Sequence, residues 1–267
     1  MGAVVTAAAA TAVKLGKEVV NAYADYEQLV GGVDTLFKGS SQKLQSYASN
    51  AYKTAGLSAN DYMDTVTGFS ASLIQSLGGD TDKSVKYADM AITDMADNAN
   101  KMGTDMSLIQ NAYQGFAKQN YTMLDNLKLG YGGTKEEMQR LLSDAEKISG
   151  VKYDISSYAD VVDAIHVMQE SMDIAGTTAK EAEGTISGSV NALKSSVTNL
   201  VVGFGDANAD LDVLCENVVT AFQTVLENIS PIVENLISAL PTVITTLLES
   251  AGEMLPTVLE TLAELFA

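Results

Sequence analysis

Few residues in this chain could do chemistry. His166 is the single histidine, Cys215 the single cysteine and Arg140 the single arginine. A serine or cysteine nucleophile needs a neighbouring base, so any such triad would have to use His166. By spacing it lies mid-helix beside an apolar stripe, with Asp163 one turn back and Glu170 one turn on. That setting reads as a partly exposed helix histidine near carboxylates. Cys215 implies no intrachain disulfide, and its apolar helical surroundings predict a small buried hydrophobe. One arginine offers little for clamping phosphate.

Metal and nucleotide motifs are equally thin. Asp206-Ala-Asn208-Ala-Asp210-Leu-Asp212 begins like a calcium loop, with alternating oxygen ligands. The sixth position, which needs glycine, is Leu211, and the twelfth, which needs glutamate, is Asn217. A polar interhelical loop with capping carboxylates fits better. Gly203-Phe204-Gly205 lacks the third glycine and the βαβ setting of a dinucleotide fingerprint. Ser40 and Lys43 form an S-x-x-K tetrad without the companion motifs of such serine enzymes, so it reads as a helix start. The methionines, among them Met90, Met95, Met102, Met106 and Met123, recur at helical spacing and read as core filling. No catalytic, cofactor-binding or metal residue is assigned, and the expectation is a protein that is not an enzyme.

The elements that would position any site are helices. Apolar residues recur at helical spacing from about Val4 to Val30, where Gly31-Gly32 predicts a stop. Val33 to Phe37 is either extended or a link. A helix opens at Ser40 or Ser41 and ends at Gly56. Ser58 and Asp61 stand at capping-box spacing before a face of Tyr62, Val66, Phe69, Leu73, Ile74 and Leu77, closed by Gly78-Gly79. Asp80 or Thr81 starts the next helix, with Val85, Ala88, Ile92, Met95 and Ala99 on one side and Gly103 at its end. Residues 105–119 carry Met106, Ile109, Tyr113 and Phe116. Thr134 with Glu137 is a capping box for a helix ending near Gly150. Ser156 or Ser157 opens one with Val161, Ile165, Met168 and Met172, ended by Gly176. From Lys180 to Gly203 small and polar residues, with Gly184 and Gly188, interrupt a helical pattern.

After Asn208 the chain becomes aliphatic and acidic, punctuated by Pro231, Pro241 and Pro256. LPTVI at 240 and LPTVL at 255 repeat fifteen residues apart. Proline ends a helix or sits in a first turn, so this region is predicted as short amphipathic helices in tandem. The fold class is all-α: a compact multi-helix core over residues 1–205, followed by an acidic amphipathic Leu-Pro-punctuated helical tail over 206–267.

Net charge is −18 over 267 residues, and Lys194 is the last basic residue. From Asp206 onward there are ten acidic side chains and no Lys or Arg. Such a surface repels phosphate, which disfavours nucleic-acid binding by counterion release and polybasic adhesion to anionic lipid. The alanine-rich start, MGAVVTAAAATAVKLGKEVV, lacks basic residues before its apolar run and reads as a helix rather than a leader.

Four segments between Leu57 and Thr178 and just beyond carry a resemblance: GLSANDYMDTVTGFSASLIQSLGGD, KYADMAITDMADNANKMGTDM, IQNAYQGFAKQNYTMLDNLKLGYGGTKEEMQRLL and DISSYADVVDAIHVMQESMDIAGTTAKEA. They resemble the core of tail tape-measure proteins from phages and prophages of Gram-positive bacteria. With NAYADYEQLVGGVDTLF upstream and TISGSVNALKSSVTNLV downstream, the likeness covers roughly residues 15 to 205. It implies a structural virion component, assembled in the bacterial cytoplasm. Such a protein sets tail length, scaffolds the tail tube and leaves the tube ahead of DNA. The implied partners are the major tail (tube) protein, tail-assembly chaperones, the distal tail protein and further copies of itself, with contact at the host membrane during infection and no specific nucleic-acid binding. As one α-helix at ~1.5 Å per residue the chain would span only about 400 Å. It is therefore expected to be a fragment or truncated copy.

The alternative is a membrane-active helical protein working through residues 206–267. Glu234, Glu249, Glu253, Glu260 and Glu264 with three prolines leave no clean spanning window, so lying at an interface or bundling is expected over crossing.

Overall fold

The computed structural model describes residues 2–265, and no strand occurs among them. The helices are α1 (Gly2–Phe37), α2 (Ser41–Thr54), α3 (Ala59–Ser76), α4 (Thr81–Met102), α5 (Met106–Phe116), α6 (Lys135–Ser149), α7 (Tyr158–Ser171), α8 (Thr177–Gly184), α9 (Ile186–Gly203) and α10 (Leu211–Leu265). Short 3₁₀ turns at Lys38–Ser40 and Leu124–Leu127 complete the set. The class is all-α, as the periodicity predicts.

Most boundaries follow from local chemistry. Side chains of Ser58, Asp80, Asp105, Thr134, Ser157 and Thr185 accept hydrogen bonds from first-turn amides, satisfying donors that the helix leaves free. The Ser58 hydroxyl also donates to the Asp61 carboxylate at 2.6 Å, a side-chain bond where the glutamate of a capping box would take the backbone N–H. Gly103 and Gly150 end α4 and α6 in the left-handed region, at φ 61° and 73°, where a Cβ is costly.

Three expectations about boundaries need correction. Gly31-Gly32 does not stop α1, which continues to Phe37. Val33 and Phe37 are fully buried. Burying them contributes roughly 1.5–3 kcal/mol each, against about 1 kcal/mol lost per helical glycine, so packing wins. Val33 to Phe37 is therefore neither strand nor linker. Gly176 does not end the helix opened at Ser157; α7 stops at Ser171, and Gly176, at φ 77°, stands at the N-terminus of α8. The prolines do not divide the C-terminal region, which is one helix of 55 residues. Each interior proline removes one bond and costs about 3 kcal/mol, but leaves the rest of the ladder intact.

The chain divides into two units, residues 1–224 and 225–267. In the first, α3 packs against α1, α2 and α4, α4 also meets α7 and α8, and the α6–α7 and α8–α9 pairs lie side by side. Tyr62, Phe37, Tyr113, Phe116, Leu73 and Met95 lie at its centre. Met63, Met95, Met138 and Met168 are buried there, and Met90, Met102, Met106 and Met123 pack on the rim, so these methionines fill space. The corner between α9 and α10 holds Asp206 to Asp210.

Candidate functional site

Two features stand out from ordinary helix packing: a buried polar cluster between α4 and α7, and an exposed apolar surface on α10. The cluster centres on His166. Its Nδ1 lies 2.9 and 3.0 Å from the two carboxylate oxygens of Asp94, and its Nε2 lies 3.4 Å from Glu170 Oε1. The Asp94 side chain is 2% exposed and that of His166 27%. The helix-neighbour reading of His166 captured Glu170 but not Asp94, which is the stronger partner.

The electrostatics follow from burial. Desolvation raises the Asp94 carboxyl from 3.8 to about 6, although the His166 hydrogen bond and charge oppose the rise. His166 is itself pushed upward, chiefly by its hydrogen bond to Asp94 and in spite of its own desolvation. Around the pair lie further buried polar groups. The Tyr113 and Tyr158 hydroxyls and both polar atoms of Gln169 make no hydrogen bond among the described residues. The Tyr113 phenol faces the Gln169 amide outside hydrogen-bond geometry, and burial drives both phenols far above the ordinary tyrosine range. Chemically, this arrangement clamps an imidazole between two carboxylates. Among the described residues no Ser, Thr or Cys hydrogen-bonds either ring nitrogen, so the geometry of a nucleophile and base is not present there.

One turn further along α4, Asp97 does structural work. Its carboxylate accepts from Gly176 N at 2.5 Å and Thr178 N at 2.7 Å. α8 has no capping side chain of its own, and a residue 81 positions away supplies it.

The remaining residues that the sequence singled out have local roles. Ser40 donates to Asp82 Oδ1 at 2.6 Å, tying the start of α2 to that of α4, and is not paired with Lys43. Arg140 grips Glu137 at 2.6 Å and Gly130 O at 2.8 Å and lies over the Tyr131 ring, which fastens the 130–134 loop to α6. Asp206 accepts from Asn208 N and Asp210 from Val213 N, so these carboxylates shape the corner and cap α10. Among the described residues no three His, Cys, Asp or Glu side chains converge as metal ligands. Gly203 and Gly205 let neighbours approach: a Cβ would meet Leu214 Cδ1 at 2.3 Å and Tyr23 Cβ at 2.5 Å respectively. Cys215 is exposed, not buried as its apolar context predicts.

On α10, Leu226, Ile232, Val233, Leu236, Ile237, Leu240 and Ile244 are 45–63% exposed. The part Leu211–Thr246 is long and apolar enough, by length and composition, to cross a membrane, which the expectation of no clean window did not allow. An all-helical protein with a long helix whose apolar side chains stand exposed between Leu226 and Ile244 is the class that fold and surface define. No family model, curated protein or solved structure matches the chain.

Proposed function

We propose that this is a structural phage tail protein of the tape-measure type, which scaffolds tail-tube assembly and assists genome ejection without catalysing a reaction. The observation that carries the reading is the resemblance over residues 15 to 205. Two features support it. In the first unit Ser40 and Asp97 tie helix starts to distant helices, as suits a scaffold. The long apolar helix offers surface for assembly partners. Under this reading the partners are the tube protein, tail-assembly chaperones, the distal tail protein and further copies, and the protein resides in the virion tail. The test is to tag the chain in its host and purify tails. Co-purification with tube protein, and genes for tube and chaperone proteins upstream, are expected; a soluble chain that never enters tail fractions refutes the proposal.

A second reading, membrane action through residues 206–267, is favoured by the span-length stretch Leu211–Thr246. It requires leakage of liposomes on addition of the protein, increasing between pH 7 and pH 5 as glutamates protonate. Leakage unchanged over that range removes it.

A further inference from the structure

The 55 residues of α10 divide into five consecutive segments of eleven: LDVLCENVVTA, FQTVLENISPI, VENLISALPTV, ITTLLESAGEM and LPTVLETLAEL. The first, fourth, fifth, eighth and eleventh positions are apolar in every segment. All eight acidic residues of the helix fall at the second, sixth or tenth positions, and the sixth reads Glu216, Glu227, Ser238, Glu249, Glu260. Eleven residues in three turns is about 3.67 per turn. On that period the acidic positions lie roughly 130–165° from the centre of the apolar ones. The seven exposed aliphatic side chains between Leu226 and Ile244 all occupy apolar positions of this repeat.

We propose that this face is a seam for further copies of the same chain, forming a parallel, in-register, right-handed coiled coil. The inference rests on α10 alone and stands apart from the tail role. Three observations select a second copy over other occupants. The first is the period. On a straight helix of 3.6 residues per turn an eleven-residue stripe drifts by about 20° per repeat, or roughly 100° over α10. A flat bilayer would meet the acidic row before the end of such a stripe. A helix with the same repeat, supercoiled right-handedly, stays on it throughout, and another α10 has that repeat. The second is charge. With no Lys or Arg after Lys194, the acidic row gains nothing from facing a seam, and it points outward in the assembly. The third is where the seam is open. Ala221 and Val225 are already covered, each 7% exposed, whereas Leu226, Ile232, Val233, Leu236, Ile237, Leu240 and Ile244 are open. Parallel register sets the exposed stretch of one copy against that of the other; full antiparallel overlap of 211–265 would instead bring residues 251 and 255 of each copy onto the covered Val225 and Ala221 of the other.

The test uses the full chain. Light scattering is expected to give a multiple of the monomer mass, and Leu236→Asp with Ile237→Asp to return it to the monomer while the helical signal of the first unit persists. Glu227→Gln, on the outer row, leaves the mass unchanged. In a Cys215→Ser background, Ile237→Cys cross-links between copies on mild oxidation, and Ser238→Cys does so at least tenfold more slowly. Four results would each overturn the proposal: a monomeric parent chain, multimers that survive both aspartates, equal cross-linking at 237 and 238, or a chain monomeric in buffer that sediments with phosphatidylcholine vesicles.

Discussion

Replacing His166 by alanine leaves Asp94, 1% exposed, as a buried carboxylate without the one hydrogen-bond partner it has among the described residues. Removing one member of a buried ion pair costs about 3–5 kcal/mol. The His166 side chain is itself 27% exposed, so water reaches the gap and the lower figure, about 3 kcal/mol, applies. For a unit of this size that corresponds to a melting temperature lower by roughly 6–12 °C. The pH dependence separates electrostatics from lost packing. In the parent chain Asp94 titrates near 6 rather than 3.8, so the native state binds the extra proton between those values and stability falls as pH rises through them. His166, with its raised folded value, adds stability that is complete below 6.5 and is lost as pH rises through the folded value. Without His166 the penalty on ionised Asp94 is uncompensated. The defect should therefore be larger at pH 7 than at pH 4, because loss of the imidazole's own contribution persists at both while the penalty on ionised Asp94 vanishes where that carboxyl is protonated. Asp94→Asn added to His166→Ala should recover at least half of the loss at pH 7. Denaturant melts of the four proteins at both pH values supply the cycle. Equal losses at pH 4 and pH 7, or no recovery in the double variant, would refute this account.

Asp97→Ala removes the acceptor of two amides at the start of α8, and a loss of about 2–3 kcal/mol in thermal melts is expected, with Asp97→Asn intermediate. Gly188→Ala would place a Cβ 2.2 Å from Glu181 O, so α8 and α9 must separate; about 1–3 kcal/mol should be lost in urea titration, more than for Gly184→Ala, whose Cβ meets nothing within 4 Å. Thr134→Ala deletes the cap that accepts from Glu137 N and should cost about 1 kcal/mol, visible as faster amide exchange in the first turn of α6.

Helix existence was legible because each helix announces itself within a few residues. Ser58 and Thr134 cap where their spacing places them, Asp80 and Ser157 prove to be the caps among the two candidates at each start, and Gly103 and Gly150 close where left-handed backbone is needed. What could not be read was set by distant partners. Nothing near His166 points to Asp94, 72 residues earlier, and nothing near Gly176 points to Asp97. Both contacts depend on how α4 lies against α7 and α8, which periodicity does not encode. Gly31-Gly32 misleads because the stop signal is local while Val33 and Phe37 are held by the core. In α10 the recurring Leu-Pro drew attention to a fifteen-residue spacing. That interval is one eleven-residue repeat plus one turn, so Leu240 and Leu255 both fall on the seam while the period is concealed.

The way α9 is attached has a thermodynamic consequence. Its buried positions are mostly Ser189, Ser195, Ser196 and Asn199, with Ala192 and Val202 the hydrophobic ones. Asn191 Nδ2 and Ser195 Oγ both donate to Gly56 O, and Asn199 Oδ1 accepts from Ala59 N, so α9 grips the α2–α3 corner through polar bonds. Heat-capacity change and denaturant sensitivity both scale with the surface newly exposed, and the apolar share dominates the former. Release of α9 should therefore proceed with a small heat-capacity increment and a shallow urea slope, while melting of the Tyr62–Tyr113 core shows steep values of both. Amides of α9 would exchange through an opening that urea barely accelerates. The two parts of one small unit would thus answer differently to the same solvent.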